Sequence, residues 1–164
     1  MQTFLPYSTY SECAKVLDSK RLNKQILECY QILNILSGQS SSSAWRNHPA
    51  VLMWSGSESH LYNYTLAMVD EALSRDIKVG KNLLNLKTLY KKCHSFWGHA
   101  TPAWYLPKHR KYVNTTHQVS LYHKDPIYYI KFKSAVDSPY NAPCCPDRKT
   151  PCKYYWVTHQ TRVQ

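Results

Sequence analysis

The segment Val16–Leu36, VLDSKRLNKQILECYQILNIL, sets Leu22, Ile26, Cys29, Leu33 and Leu36 at steps of 4, 3, 4 and 3. That spacing is the stripe of a helix lying on a core. Val16 extends the stripe by a turn, and Asp18 puts a negative charge near the helix's positive end. Ser11 as N-cap, Glu12 in the first turn, and Gly38 with the run Ser40–Ser43 as terminator predict one long helix over 11–37. A chain with such an element must pack other surfaces against it.

The rest of the sequence supplies further helices. Pro49 suits a first helical position with His48 or Asn47 as cap, in a short helix that Gly56 ends. Leu61, Tyr64, Met68 and Ala72 mark a helix to about Asp76, and Leu83, Leu86, Leu89 (or Tyr90) and Cys93 a fourth. After the loop from Gly98 to Pro107, HRKYVNTTHQVSLYHK reads as helix up to Asp125, and PIYYIKF adds a turn or two. Pro139, Pro143, Pro146 and Pro151 exclude long regular elements near the end, where KYYWV is either a strand or an aromatic arm. No repeat is present. The expected fold is all-α, a compact single domain over 1–164 around three principal helices, with long loops and an aromatic, Pro- and Cys-rich C-terminal segment.

Lys and Arg number 21 against 10 Asp and Glu, a formal charge of +11. Such an excess concerns partners more than fold and points to a polyphosphate backbone, bound by counterion release. Three regions concentrate it. Lys20, Arg21 and Lys24 surround Glu28, the only carboxylate between Ser19 and Ser57. A Lys24–Glu28 pair worth roughly 0.2–0.5 kcal/mol would by itself account for that acid. Trp45-Arg46-Asn47-His48 precedes a helix start, where backbone N–H groups favour a phosphate. The third region holds Lys108, His109, Arg110, Lys111, His117, Lys124, Lys153, Tyr154, Tyr155 and Trp156. Cations interleaved with aromatic rings suit unstacked bases beside a backbone. A solvated basic surface with aromatic residues in the core is the plainer alternative for any single residue.

The opening MQTFLPYSTYSE has no basic segment followed by an apolar run, and no window approaches 18 apolar residues. A signal peptide and a membrane span are therefore not expected, and the six cysteines are expected as reduced thiols inside a cell. Cys144, Cys145 and Cys152 with Cys93, His94 and His99 form the one candidate zinc set. Adjacent Cys-Cys chelates poorly and there is no C-x-x-C, so no metal is expected, and the three late cysteines stand as thiols or ligands.

Three blocks, LDSKRLNKQILE at 17–28, WRNHPAVLMW at 45–54 and HQVSLYHKDPIYY at 117–129, resemble the pyrimidine-dimer DNA glycosylase family of the phage ultraviolet-repair type. The resemblance implies an all-α fold, a monomer acting on damaged double-stranded DNA, and no cofactor. It also implies a bifunctional reaction. An amine attacks C1′, the base leaves, and the imine breaks the strand by β-elimination. Glu28 falls on the family's catalytic glutamate and Arg21 on the basic position before it. Lys20, Lys24, Trp45, Arg46, Asn47, His48, His117, Lys124, Lys153, Tyr155 and Trp156 are the candidate DNA contacts, with Trp45, Trp54 or Tyr155 lining the space that a flipped nucleotide vacates. An intracellular, nucleoid-associated location and a phage or bacterial source are implied by the family.

The chemistry agrees with that implication. Positive charge develops at C1′, and a nearby carboxylate stabilises it or relays a proton. An unperturbed α-amine, which titrates at about 7.7–8.0, is roughly 10–15% neutral at pH 7, against on the order of 0.04% for lysine. The expected nucleophile is the α-amine of Met1, since Gln2 is bulky enough to keep Met1 in place, or that of Gln2 if Met1 is removed. Ile26 and Asn23 depart from the family's usual Arg and Gly.

Overall fold

The computed structural model describes residues 1–42, 44–142 and 153–158. The first helical stretch is divided, which corrects the single helix expected over 11–37. α1 spans Tyr10–Val16 and α2 spans Ser19–Leu36, with Leu17 and Asp18 in extended conformation between them. Thr9, not Ser11, caps α1, its side chain accepting from Glu12 N. The break is held by a local cap and by side chains distant in sequence. Asp18 Oδ1 caps α2 by accepting from Arg21 N at 3.0 Å. Arg75 donates to the carbonyls of Leu17 at 2.7 Å and Lys15 at 3.0 Å while its Nε holds Glu71 at 2.8 Å. One guanidinium thus satisfies carbonyls that α1 leaves open at its C-terminus.

α3 (Pro49–Leu52) starts as expected, with Pro49 at its first turn and His48 Nδ1 accepting from Ala50 N at 3.1 Å. α4 spans Glu58–Ser74, α5 Gly80–Cys93 and α6 Pro107–Lys124. Three 3-10 helices cover His94–Phe96, Ala103–Tyr105 and Ile130–Asp137. Among the described residues there is no strand, and no helix is long and apolar enough to cross a membrane. α2 packs chiefly on α4, which α1 also crosses, and α6 packs on the Ile130–Asp137 turn. Leu22, Ile26, Cys29 and Leu33 are fully buried, as the stripe requires, against Leu61, Tyr64 and Met68 of α4. Where the chain turns into α4, Glu58 accepts from Gly56 N at 2.9 Å and Gly98 N at 2.7 Å. The two glycine backbones lie so close that a Cβ on Gly98 would collide with the Gly56 carbonyl.

The segment Gln2–Pro6 is buried without belonging to any helix. Its backbone groups are met by side chains from three helices. Gln25 of α2 accepts from Phe4 N at 2.9 Å and donates to Gln2 O at 2.5 Å. Tyr64 of α4 donates to Phe4 O at 2.6 Å. From α6, His117 Nδ1 accepts from Leu5 N at 2.8 Å and Gln118 donates to Pro6 O at 2.8 Å. Trp54 Nε1 donates to Thr3 Oγ1 at 2.9 Å. The KYYWV tail takes the aromatic-arm form of the two expected. Tyr155 N donates to Thr116 Oγ1 at 3.0 Å, and Trp156 and Val157 are buried.

These anchors can be tested one at a time. Arg75→Leu removes the charged donor from the α1 carbonyls and is expected to lower stability by about 2 kcal/mol in chemical denaturation, without loss of helix content by circular dichroism. Burial pushes the His117 imidazole down to about 3 from 6.5. The folded state therefore keeps this ring neutral where the unfolded chain takes up a proton. Its contribution is full above about 6.5 and is lost as the pH falls towards 3. Stability is expected to fall with acid by up to about 1.4 kcal/mol per pH unit from this group. His117→Asn should flatten that limb by about one proton in denaturation measured across pH.

Candidate active site

α2 turns one polar edge towards the chain start. Lys20, Lys24 and Glu28 follow one another at four-residue steps, while Gln25, beside them, points into the core and holds Gln2 and Phe4. The consequence is a short distance between the start of the chain and a carboxylate. Gln2 N donates to Glu28 Oε2 at 3.2 Å, and Lys24 Nζ lies 3.6 Å from Glu28 Oε1. The Glu28 side chain is only 13% exposed, whereas that of Lys24 is 71% exposed. The ion pair is thus a weak tether, and the backbone N–H is the better defined partner.

Met1 and Glu28 sit where two cavities adjoin. One, of about 310 Å³, is lined by Gln2, Phe4, Lys20, Arg21, Lys24, Gln25, Lys124 and Tyr154 besides that pair. The other, of about 350 Å³, is lined by Tyr30, Gln31, Asn34, Ile35, Ser40 and Trp45 besides the same pair. A further cavity of about 300 Å³ carries Lys153 with His123, Lys124, Asn141 and Tyr154.

The cationic cavity is built from both ends of the chain. Arg21 is aimed by Asp18, 2.6 Å away, and by the Tyr129 ring, 5.6 Å from its guanidinium carbon. Burial raises the Asp18 carboxyl pKa, but hydrogen bonds from the Tyr129 hydroxyl (2.6 Å) and from Arg21 outweigh it and hold it below the usual range. Burial, with Arg21, Lys153 and Lys24 nearby, pushes the Lys124 ammonium below its ordinary value. Cations that repel one another in this way gain from a phosphate among them. Tyr154 closes this side. Its hydroxyl pKa is raised by burial and by the charge of Glu28, against a hydrogen bond from Ser120.

The structure brings together Met1, Gln2, Glu28, Arg21, Lys20, Lys24 and Lys124, with Lys153 in the adjoining cavity and Trp45 on the opposite side. Other expectations need correction. His117 is fully buried and serves the Leu5 backbone, so it does not reach a phosphate. Trp54 is fully buried against Tyr64 and Trp104 and lines no vacated space. Trp156 is 8% exposed and packs on Tyr154 and His48. Arg46 and Asn47, by contrast, are exposed and open to a DNA contact, and Arg46 lines a hollow with Leu36 and Leu52 that shares Ile35 with the Trp45 cavity. His48 is engaged as the α3 cap and against Trp45. Tyr155 stacks on Tyr112, with its hydroxyl 2.9 Å from His109 Nδ1.

Of the candidate zinc set, Cys93 is buried and His94 stacks on Tyr90 with Nδ1 2.7 Å from the Tyr90 carbonyl. Cys144, Cys145 and Cys152 lie outside the described residues. Sequence reasoning missed Gln25. A glutamine one residue before Ile26 and one turn from Leu22 and Cys29 lies on the buried stripe, and a buried amide needs partners.

Among curated proteins and solved structures nothing matches this chain. A family model described as pyrimidine dimer DNA glycosylase matches residues 1–85. That stretch carries the N-terminal segment, α1 to α4 and the start of α5, and so holds Met1, Gln25 and Glu28 together. With just over half of its 164 residues matched and an all-helical fold, the chain belongs to the pyrimidine dimer DNA glycosylase family.

Proposed function

We propose that this protein excises damaged pyrimidines from double-stranded DNA and then cuts the strand as an AP lyase, through an N-terminal amine and an imine. The observation that carries the reading is the hydrogen bond from Gln2 N to Glu28 Oε2 at 3.2 Å, with Met1 beside both in a cavity lined by four cations. The neutral α-amine of Met1 attacks C1′ as the C1′–N bond to the base breaks, and the base leaves C1′ with that electron pair and takes up a proton, staying joined to its neighbour where the damage is a cyclobutane dimer. Glu28, ionised, stabilises the positive charge at C1′ and relays the amine proton. Ring opening yields the imine, loss of a C2′ proton expels the 3′ phosphate, and water releases the amine.

Lys20, Arg21, Lys24 and Lys124 hold the phosphates that flank the reacting sugar, and Lys153 extends the track. None of these steps uses a metal or cofactor. An exposed Gln2 would cyclise with loss of ammonia and lose its amine, so the reading rests on the amine of Met1. The protein acts as a monomer within the cell.

Borohydride reduction of the imine tests the reading. The native protein is expected to become covalently attached to ultraviolet-irradiated duplex and to abasic duplex. Glu28→Gln is expected to lose at least 100-fold in cleavage and to keep its DNA affinity within threefold. Full cleavage by Glu28→Gln would remove the carboxylate from the mechanism. Absence of any adduct from the native protein would leave a non-catalytic DNA-binding protein. Intact-mass analysis is expected to show Met1 retained and unblocked, and the trapped adduct to map to its α-amine.

A further inference from the structure

The cavity of about 300 Å³ beside the Met1–Glu28 site is walled by three separate segments. The end of α6 gives Ser120, His123 and Lys124, the stretch after the Ile130–Asp137 turn gives Asn141, and the aromatic arm gives Lys153 and Tyr154. Among the described residues no carboxylate lines it. Lys124 and Tyr154 also line the cavity that holds Met1 and Glu28, so they form a wall common to both. Burial, with the charges of Arg21, Lys153 and Lys24, disfavours the Lys124 ammonium. An anion between Lys124 and Lys153 relieves that repulsion.

Neutral donors complete the lining. Ser120 gives a hydrogen bond to the Tyr154 hydroxyl, while burial and the charge of Glu28 keep that phenol protonated, so it has its own hydrogen to give. Asn141 Nδ2 spends one hydrogen on Val136 O at 3.0 Å and has a second. The proposed β-elimination creates an anion of matching form. The C2′ proton passes to solvent, its electron pair makes the C2′–C3′ double bond, and the C3′–O bond breaks with its pair left on the phosphate oxygen. A diester of one negative charge thereby becomes a 5′-terminal monoester carrying about −1.5 to −2 at pH 7. A diester, esterified on two sides, runs along a line of cations such as Lys20, Arg21 and Lys24. A chain end with three free oxygens suits donors that converge from several segments.

We propose that this cavity receives the phosphate expelled by strand cleavage, held between Lys124, Lys153 and the Tyr154 hydroxyl, and so stabilises the leaving group and retains the nicked product. This rests on the lyase reading above and adds a product subsite to it. Duplexes with a one-nucleotide gap separate the two, because they lack the reacting sugar and report binding alone. Affinity is measured at one salt concentration for gaps with a 5′-phosphate or a 5′-hydroxyl on the downstream margin, and for gaps with a 3′-phosphate on the upstream margin. Lys153→Ala, Tyr154→Phe and the double variant are compared with the native protein. Lys153 is exposed and Phe keeps the ring that packs on His117, so the fold tolerates both changes, and circular dichroism checks it for each variant.

The native protein is expected to bind the 5′-phosphate gap roughly 10-fold more tightly than the 5′-hydroxyl gap. Each single variant is expected to cut that preference to about threefold, and the double variant to abolish it. Equal binding of the two gaps by the native protein, a stronger preference for the 3′-phosphate, or variants that weaken all the duplexes alike with the preference intact overturns the inference and leaves the amine chemistry standing. Failure of the native protein to form the borohydride adduct on an abasic duplex overturns the lyase reading, and with it the product to be held.

Discussion

Residues 2–6 are buried with no neighbouring strand to pair with, and folding such a segment requires partners for its backbone groups from elsewhere. The Gln25 amide is the central one. Its oxygen takes Phe4 N and its nitrogen gives to Gln2 O, so one side chain spans the segment much as a second strand would. Tyr64 reinforces it from α4, and His117 and Gln118 from α6. Chain termini ordinarily fray. This one is tied to three helices, and its first residues inherit the rigidity of the core. The nucleophile proposed at this terminus needs no loop to position it, and it loses little entropy on meeting its substrate.

The same arrangement explains why Glu28 stands where it does. A carboxylate on an exposed helix edge with a lysine one turn away is common and worth little. Here the helix also carries Gln25, so the residues that fix the terminus and the residue that meets it share one rigid element. Cations gather from elsewhere by a less exacting route. Between Asp76 and Asp125 the chain has no carboxylate, so α5, α6 and the loops between them can offer only positive charge to a passing phosphate. α6 turns that excess towards the site at its C-terminal end, where Lys124 meets Arg21, Lys24 and Lys153.

What could be read from the sequence was local. The stripe of Leu22, Ile26, Cys29 and Leu33, the Pro49 helix start under a His48 cap, and the end of α6 before Asp125 depend on neighbours within a turn or two. The break at Leu17 depends on Arg75, 58 residues away, and on Tyr129, 111 residues from Asp18. No periodicity in the first 40 residues carries that information. The burial of His117 and Trp54 escapes the sequence for a related reason. A histidine or tryptophan in a basic, aromatic-rich chain has the right chemistry for DNA, and only the packing of α6 and α4 on the N-terminal segment turns these two inward. Trp45 differs from Trp54 by nine positions and not at all in chemistry, yet one is 46% exposed and the other fully buried. Gln25 was legible in principle, since a polar residue on an apolar stripe marks a buried hydrogen-bonded group. The basic residues around it lie on the other face of the helix and carry the stronger chemical signal.

The reach of the family match, residues 1–85, coincides with a physical division within the molecule. In the proposed reaction, attack on C1′ tolerates errors of a few tenths of an ångström, because the amine must lie in line with the breaking bond while the carboxylate faces the developing charge. Every part needed for that geometry, from the terminus to Gln25, Glu28 and Tyr64, lies inside the matched stretch. Holding a phosphate is a longer-range matter, effective over several ångströms and supplied equally well by a lysine on one element or another. Lys124 and Tyr154, which form the second wall of the cationic cavity, and Lys153 in the adjoining one all lie beyond residue 85. His117 and Gln118 also lie beyond it, and they support the segment from outside without touching Met1 or Glu28. A chain can therefore keep the exacting half of such a site in its first half and build the tolerant half from a different C-terminal sequence.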